Sequence, residues 1–160
     1  MGEQIKVGIS DYKITSAPNQ LLTIGLGSCV GIALYAPKSK TGALSHIMLP
    51  DSTSFTDKSN WPKFADLALP AIVKELREQT GEHKLRVKIA GGASMFAFST
   101  ESSILQIGQR NIQAVKDVLY ELDLKLEAEH VGGKMGRSMF VDLTTFDVRV
   151  RMVNREEHIL

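Results

Sequence analysis

Short runs of apolar and β-branched residues, each broken off by glycine, proline or polar residues, fill the first third of this chain: residues 5–9, 12–15, 21–25, 30–35 and 43–49. Runs of that length between turn-forming residues read as strands, because a helix would carry its apolar pattern over three or more turns. The N-terminal third is therefore expected to be β structure. One connection adds more. Residues 36–42, Ala-Pro-Lys-Ser-Lys-Thr-Gly, form a polar turn segment of the length that joins antiparallel neighbours, so 30–35 and 43–49 are expected to pair as a hairpin.

Beyond it the pattern changes. Residues 51–60 are rich in Ser, Thr, Asp and Lys and read as a mobile surface loop. Ala65, Leu69, Ile72, Val73 and Leu76 then recur at helical spacing, with a kink or offset expected at Pro70 and a stop at Gly81. Residues 85–90 read as a strand ending at Gly91-Gly92-Ala93, with a further short strand at 95–98. Ile112, Val115, Leu119 and Leu122 mark a second helix that begins near Gly108 or Gln109 and ends by Asp123. Strands are expected at 125–131, 138–143 and 148–153, followed by a frayed tail from about 154. The charged positions Lys84, Arg86, Lys88, Glu127 and Glu129 alternate and read as solvent faces of strands. This order predicts an α/β fold: a single-domain layered sandwich, rich in β structure, with two main helices covering a sheet.

Size and charge narrow the function. A chain of 160 residues suits one domain, and 43% hydrophobic residues suffice for a proper core. A formal net charge of +1 supplies no field to draw in nucleic acid or an anionic membrane. The start, Met1-Gly2-Glu3-Gln4-Ile5-Lys6, lacks the basic and apolar regions of a signal peptide, Lys6 stands where a myristoylation motif wants Ser or Thr, and no apolar stretch is long enough to span a bilayer. A cytoplasmic location is expected.

Cys29 is the sole cysteine, which excludes an internal disulfide and a multi-cysteine zinc site. A lone cysteine is most often an inert buried hydrophobe, but this one follows Gly25-Leu26-Gly27-Ser28, where the backbone is free to turn and to let a substrate approach. A thiol exposed at such a turn becomes a nucleophile when an imidazole raises its thiolate fraction. In the expected hairpin His46 supplies one. If Gly31 lies opposite His46, Cys29 and His46 are diagonal neighbours on one face, with the glycine clearing space for the ring; a slip of one residue would separate them. His83 lies in a polar connection and His158 in the tail, so both read as surface residues, whereas His130, beside Val131-Gly132-Gly133, is a rival base. The four histidines are too scattered for a zinc site. Gly91-Gly92 and Gly132-Gly133 read as turns near the site; Arg110, Asn111 and Arg137 are candidates for contact with an acidic surface.

Gly25-Leu26-Gly27-Ser28-Cys29-Val30, Ser45-His46-Ile47-Met48-Leu49-Pro50, Lys88-Ile89-Ala90-Gly91-Gly92-Ala93-Ser94-Met95-Phe96, Ile107-Gly108-Gln109-Arg110-Asn111 and Gly132-Gly133-Lys134-Met135-Gly136-Arg137 together resemble the motif series of the CheD family. The resemblance runs over nearly the whole chain. It implies a chemoreceptor glutamine deamidase with a papain-like Cys-His-Thr site, carried onto Cys29, His46 and Thr23, with Thr23 accepting a hydrogen bond from the second ring nitrogen of His46. Backbone N–H groups of the nucleophile loop, around Gly27 and Ser28, are expected to hold the oxyanion. No metal or organic cofactor is expected. The implied partners are the cytoplasmic helices of methyl-accepting chemoreceptors and CheC, a phosphatase whose activity the family increases. Two other readings stay open at the level of sequence: a CheC- or receptor-binding module with little catalysis, and a cysteine hydrolase of other specificity, such as a peptidase or receptor methylesterase.

Overall fold

A computed structural model describes residues 2–94 and 106–160. The elements run β1 (Gln4–Lys6), β2 (Asp11–Ser16), β3 (Gln20–Leu26), β4 (Val30–Ala36), β5 (Thr41–Ile47), a 3-10 turn (Trp61–Lys63), α1 (Ala65–Thr80), β6 (Arg86–Gly91), α2 (Ile107–Glu121), β7 (Leu126–Val131), β8 (Arg137–Asp142), β9 (Val148–Met152) and β10 (Glu157–Ile159). The strands make two sheets, in the orders β1-β3-β8-β9-β10 and β2-β5-β4-β6-β7.

Alternation along β4 shows how the layers stack. Val30, Ile32, Leu34 and Ala36 pack with Leu69, Ile72 and Leu76 of α1 and Val115 and Leu119 of α2. Ala33 and Tyr35 point the other way and join Met139, Val141, Val148 and Val150 of the second sheet. The sheet containing β4 is thus the middle of three layers, between helices and a second sheet, and every residue of β4 and β5 is buried. Such doubly covered strands read as continuous apolar runs.

α1 ends at Gly81, whose φ of 72° is a left-handed cap, with its N–H donating to the Arg77 carbonyl. Pro70 lies inside α1 on its exposed face and does not end the helix.

Several expectations change. The tail is not frayed: β10 pairs antiparallel with β9, and Leu160 exchanges backbone hydrogen bonds with Val148. The connection 51–60 is held at its start, where the Ser52 N–H and hydroxyl donate to the Asp66 carboxylate (3.0 and 2.9 Å), and the Phe55 ring packs against Phe64. Lys88 is not on a solvent face. It lies buried between the sheets, its ammonium donating to the carbonyls of Phe146 (2.6 Å) and Leu160 (2.8 Å), 3.7 Å from the Glu127 carboxylate. The strand expected at 95–98 lies outside the described residues.

Candidate active site

β4 and β5 pair with Gly31 opposite His46 and Val30 opposite Ile47. The ladder ends there, one step short of Cys29, so Cys29 and His46 fall on one face as diagonal neighbours, an arrangement that sets backbones about 7–8 Å apart. That face looks toward the second sheet. The space over Gly31 does not belong to the imidazole, however: a Cβ at Gly31 would meet Met139 Sδ at 2.8 Å and Leu26 Cδ1 at 3.2 Å. The glycine lets the second sheet approach.

That approach brings β3 over β5. Thr23 is fully buried and its Oγ1 lies 2.7 Å from His46 Nδ1 and 2.8 Å from the Val7 carbonyl oxygen. A hydroxyl has one proton, and a carbonyl can only accept. If that proton pointed at Nδ1, two oxygens would face each other at 2.8 Å with no hydrogen between them. The Thr23 hydroxyl therefore donates to Val7 and accepts from Nδ1–H, which leaves the lone pair of His46 on Nε2. Nε2 is buried and has no hydrogen-bond partner among the described residues.

Cys29 sits where the chain crosses from β3 in one sheet to β4 in the other. The corner begins at Gly25 (φ 76°), close to a register shift in the pairing of β3 with β8. Its far side is strapped by backbone bonds: Ala93 N–H donates to Gly27 (2.7 Å), and Gly92 N–H to Cys29 (2.8 Å). Gly132 N–H donates in turn to Gly91, and Ser94 N–H to Gly133, so both glycine pairs lie beside the cysteine corner as turns. At Gly91 (φ 113°) no side chain fits, because a Cβ would run into the Cys29 carbonyl oxygen.

A family model described as CheD chemotactic sensory transduction matches residues 48–152. A Clostridium botulinum protein named "Probable chemoreceptor glutamine deamidase CheD" is 51% identical over 151 residues, covering 94% of this chain and 93% of its own. The chain belongs to the CheD family. Proteins of the same name from Desulforamulus reducens and Clostridium kluyveri are 45% and 50% identical, each over 94% of this chain and over 91% and 94% of their own. A solved structure, hypothetical protein YfiH of Bacillus licheniformis, is similar over 75% of this chain and 49% of its own, with a TM-score of 0.49 and 12% identity. The matched family segment starts two residues after His46, so Thr23, Cys29 and His46 precede it.

In this CheD-family chain burial decides the charge state of the pair. Desolvation takes the His46 imidazole down from its ordinary 6.5 to about 4 and pushes the Cys29 thiol up. Cys29 is only 8% exposed, not the open thiol expected at a glycine turn. At neutral pH the two groups are therefore a neutral thiol and a neutral imidazole.

His130 stands apart. In the register His46, Gly31, Ala90 and His130 form one row across four strands, placing His130 roughly 14 Å from His46 at the usual strand spacing. Its Nδ1 accepts from Arg137 Nη1 (2.9 Å), and its ring packs against His158, 4.4 Å between centroids. His83 lies beyond α1 beside Pro37 and Lys38 of the β4–β5 turn, at the opposite end of the hairpin from Cys29. Among the described residues no three His, Cys, Asp or Glu side chains gather as a metal site.

Arg137 and Asn111 have roles other than surface contact. Arg137 is buried and donates to the carbonyls of His130, Gly132 and Met135, shaping the glycine loop from inside. Asn111 is fully buried, its Nδ2 donating to the carbonyls of Ser28 (2.9 Å) and Met48 (3.0 Å). The sequence held a signal for Asn111: it stands four residues before Val115, on the apolar side of α2, where a polar residue needs a partner. Arg110 lines a hollow of about 220 Å³ with Leu49, Pro50, Asp51 and Phe55.

Proposed function

We propose that this chain deamidates glutamine side chains of chemoreceptors, with Cys29 as nucleophile, His46 as general base and Thr23 as the group that holds the base. The observation that carries the reading is the chain from His46 Nδ1–H to Thr23 to Val7, because it leaves Nε2 as the acceptor on the ring that shares a face with Cys29. As the sulfur attacks the amide carbon, Nε2 takes the thiol proton, so no standing thiolate is required. The oxyanion is held by N–H groups at Ser28 and Cys29, neither of which donates to a backbone carbonyl among the described residues. The imidazolium then gives its proton to the departing amine, releasing ammonia and leaving a thioester. Water attacks the thioester while Nε2 takes a proton, the sulfur leaves and is reprotonated, and the product is glutamate. No step calls on a cofactor.

The substrate side follows from the names of the relatives and from the rim. Ile9, Ile24 and Met48 are exposed apolar side chains beside the elements that carry Thr23 and His46, and such a rim suits the apolar face of a helix. The same rim would dock a CheC-type phosphatase that presents a helix, making the two partners competitors. The chain acts as one domain in the cytoplasm; no helix among its described residues is long and apolar enough to cross a membrane.

Mass spectrometry of a receptor cytoplasmic fragment after incubation tests the reaction. Conversion of glutamine to glutamate is the expected result. Cleavage of the fragment would mark a peptidase, loss of a methyl group an esterase, and an unaltered fragment that still binds would mark a binding module. For the shared rim, Cys29→Ala should still bind CheC and release it as a receptor-helix peptide is added; a stable ternary complex would refute it.

A further inference from the structure

We infer that Asn111 is a positioning residue of the reaction: its side-chain amide ties the backbone of the nucleophile corner to the backbone just beyond His46. The inference rests on the assignment of Cys29 and His46 as the reacting pair.

The need for such a tie comes from the ladder. β4 and β5 stop pairing at Val30 and Ile47, and beyond that point Met48 N–H and Leu49 N–H both donate to the Lys63 carbonyl. The backbone carrying Cys29 and the backbone leaving His46 are thus released from each other where the thiol must meet the ring. Ser28 and Met48 each aim a carbonyl at Asn111. Two carbonyls cannot bond each other, and a primary amide carries two protons on one nitrogen, so Nδ2 satisfies both at 2.9 and 3.0 Å. The amide cannot be turned over, since Oδ1 would then face two acceptors.

Close packing of α2 delivers the amide. Gly108 lies so near the Gly92-Ala93 turn that a Cβ there would sit 2.5 Å from the Ala93 carbonyl oxygen and 2.7 Å from that of Gly92. The glycine admits the first turn of α2 against the strap behind Cys29, and Asn111, three residues on, reaches the gap. This gives the motif Ile107-Gly108-Gln109-Arg110-Asn111 a physical purpose. Asn111 touches no reacting atom; it acts through the placement of Cys29 relative to His46.

Asn111→Asp keeps the shape, removes both donors and sets a carboxylate against two carbonyls; Asn111→Ala removes them without adding charge. With a glutamine-bearing receptor helix peptide, both variants should lose about 100-fold in kcat per folded molecule, the loss expected of a displacement near one ångström, with KM within about threefold. Their kcat should also climb with pH through the neutral range, as an unassisted thiol ionises, where the unaltered protein is flat. Val115→Ala, a cavity in the helix-facing core, serves as control and should lower stability while leaving kcat per folded molecule unchanged. The inference is overturned if both Asn111 variants keep kcat within about threefold with an unchanged pH profile, or if neither folds, which would make Asn111 a support of the fold. Cys29→Ala run alongside separates the two levels: an active Cys29→Ala overturns the assignment of the pair, whereas an inactive one beside unimpaired Asn111 variants overturns only the role of Asn111.

Discussion

Replacing Thr23 by valine should disable the enzyme by releasing both the ring and the tautomer of its base. Valine nearly matches threonine in shape but has no oxygen, so Thr23→Val leaves two buried groups stranded: the Val7 carbonyl, which loses its donor, and His46 Nδ1–H, which loses its acceptor. Each stranded group costs about 1–3 kcal/mol. The cost at Val7 is purely structural. The cost at Nδ1 is not escaped by moving the proton to Nε2, which is buried without a partner among the described residues, so the two tautomers come near balance. If the bond to Thr23 favours the Nδ1–H form by about 1.4–2.8 kcal/mol, its loss shifts the tautomer ratio roughly 10- to 100-fold and leaves about half the rings base-competent. The ring, no longer tied to β3, also drifts, and a displacement near one ångström costs about 100-fold in kcat. The stability loss should be about 2–6 kcal/mol. Thr23→Ser restores the oxygen and should recover most of the activity. Deamidation of a receptor peptide, followed by mass spectrometry, measures kcat, and ¹⁵N NMR of labelled histidine reads the tautomer directly. Finding the proton on Nε2 in the unaltered protein, or a Thr23→Val enzyme within about threefold of full kcat, would defeat the reasoning.

Three further outcomes are expected. Because His46 titrates near 4 when folded and 6.5 when unfolded, its contribution to stability is complete above 6.5 and is lost as pH falls toward 4; urea unfolding should show about 2 kcal/mol less stability from this residue at pH 5 than at pH 7, and His46→Gln should lack that component, so parallel pH curves for the two proteins would contradict the burial argument. Gly91→Ala should abolish activity, since its Cβ collides with the Cys29 carbonyl at a φ of 113°, whereas Gly132→Ala, with φ of 84° but open space around it, should cost only about 1–2 kcal/mol of backbone strain and stay active; equal activities in the two variants would show that the strap does not place Cys29. Lys88→Met should lose about 2–4 kcal/mol by stranding the carbonyls of Phe146 and Leu160, with faster hydrogen exchange confined first to β10, and unchanged exchange there would exclude Lys88 as its anchor.

Much of this site was legible in one dimension because it is built on a hairpin. The turn at residues 36–42 joins adjacent strands, and the observed register sets Gly31 opposite His46, as required for Cys29 and His46 to share a face. The apolar spacing of Ile72, Val73 and Leu76, and of Val115 and Leu119, likewise placed both helices on a sheet. Periodicity reports which side of its own element a residue occupies, so features internal to one helix or one hairpin could be read from it.

What it does not report is which layer that side meets. Thr23 and His46 lie in different sheets, and only the packing of those sheets brings Oγ1 to 2.7 Å from Nδ1. The same packing seals the pair from water, turning an expected exposed, activated thiol into a buried neutral one. Lys88, Asn111 and Arg137 read as surface residues because charge and polarity usually mean solvent; each is instead buried against carbonyls left over at the end of a strand or in a loop. Such leftover acceptors arise only when separate elements meet, and for that reason tertiary structure alone decided which polar side chains the interior would take in.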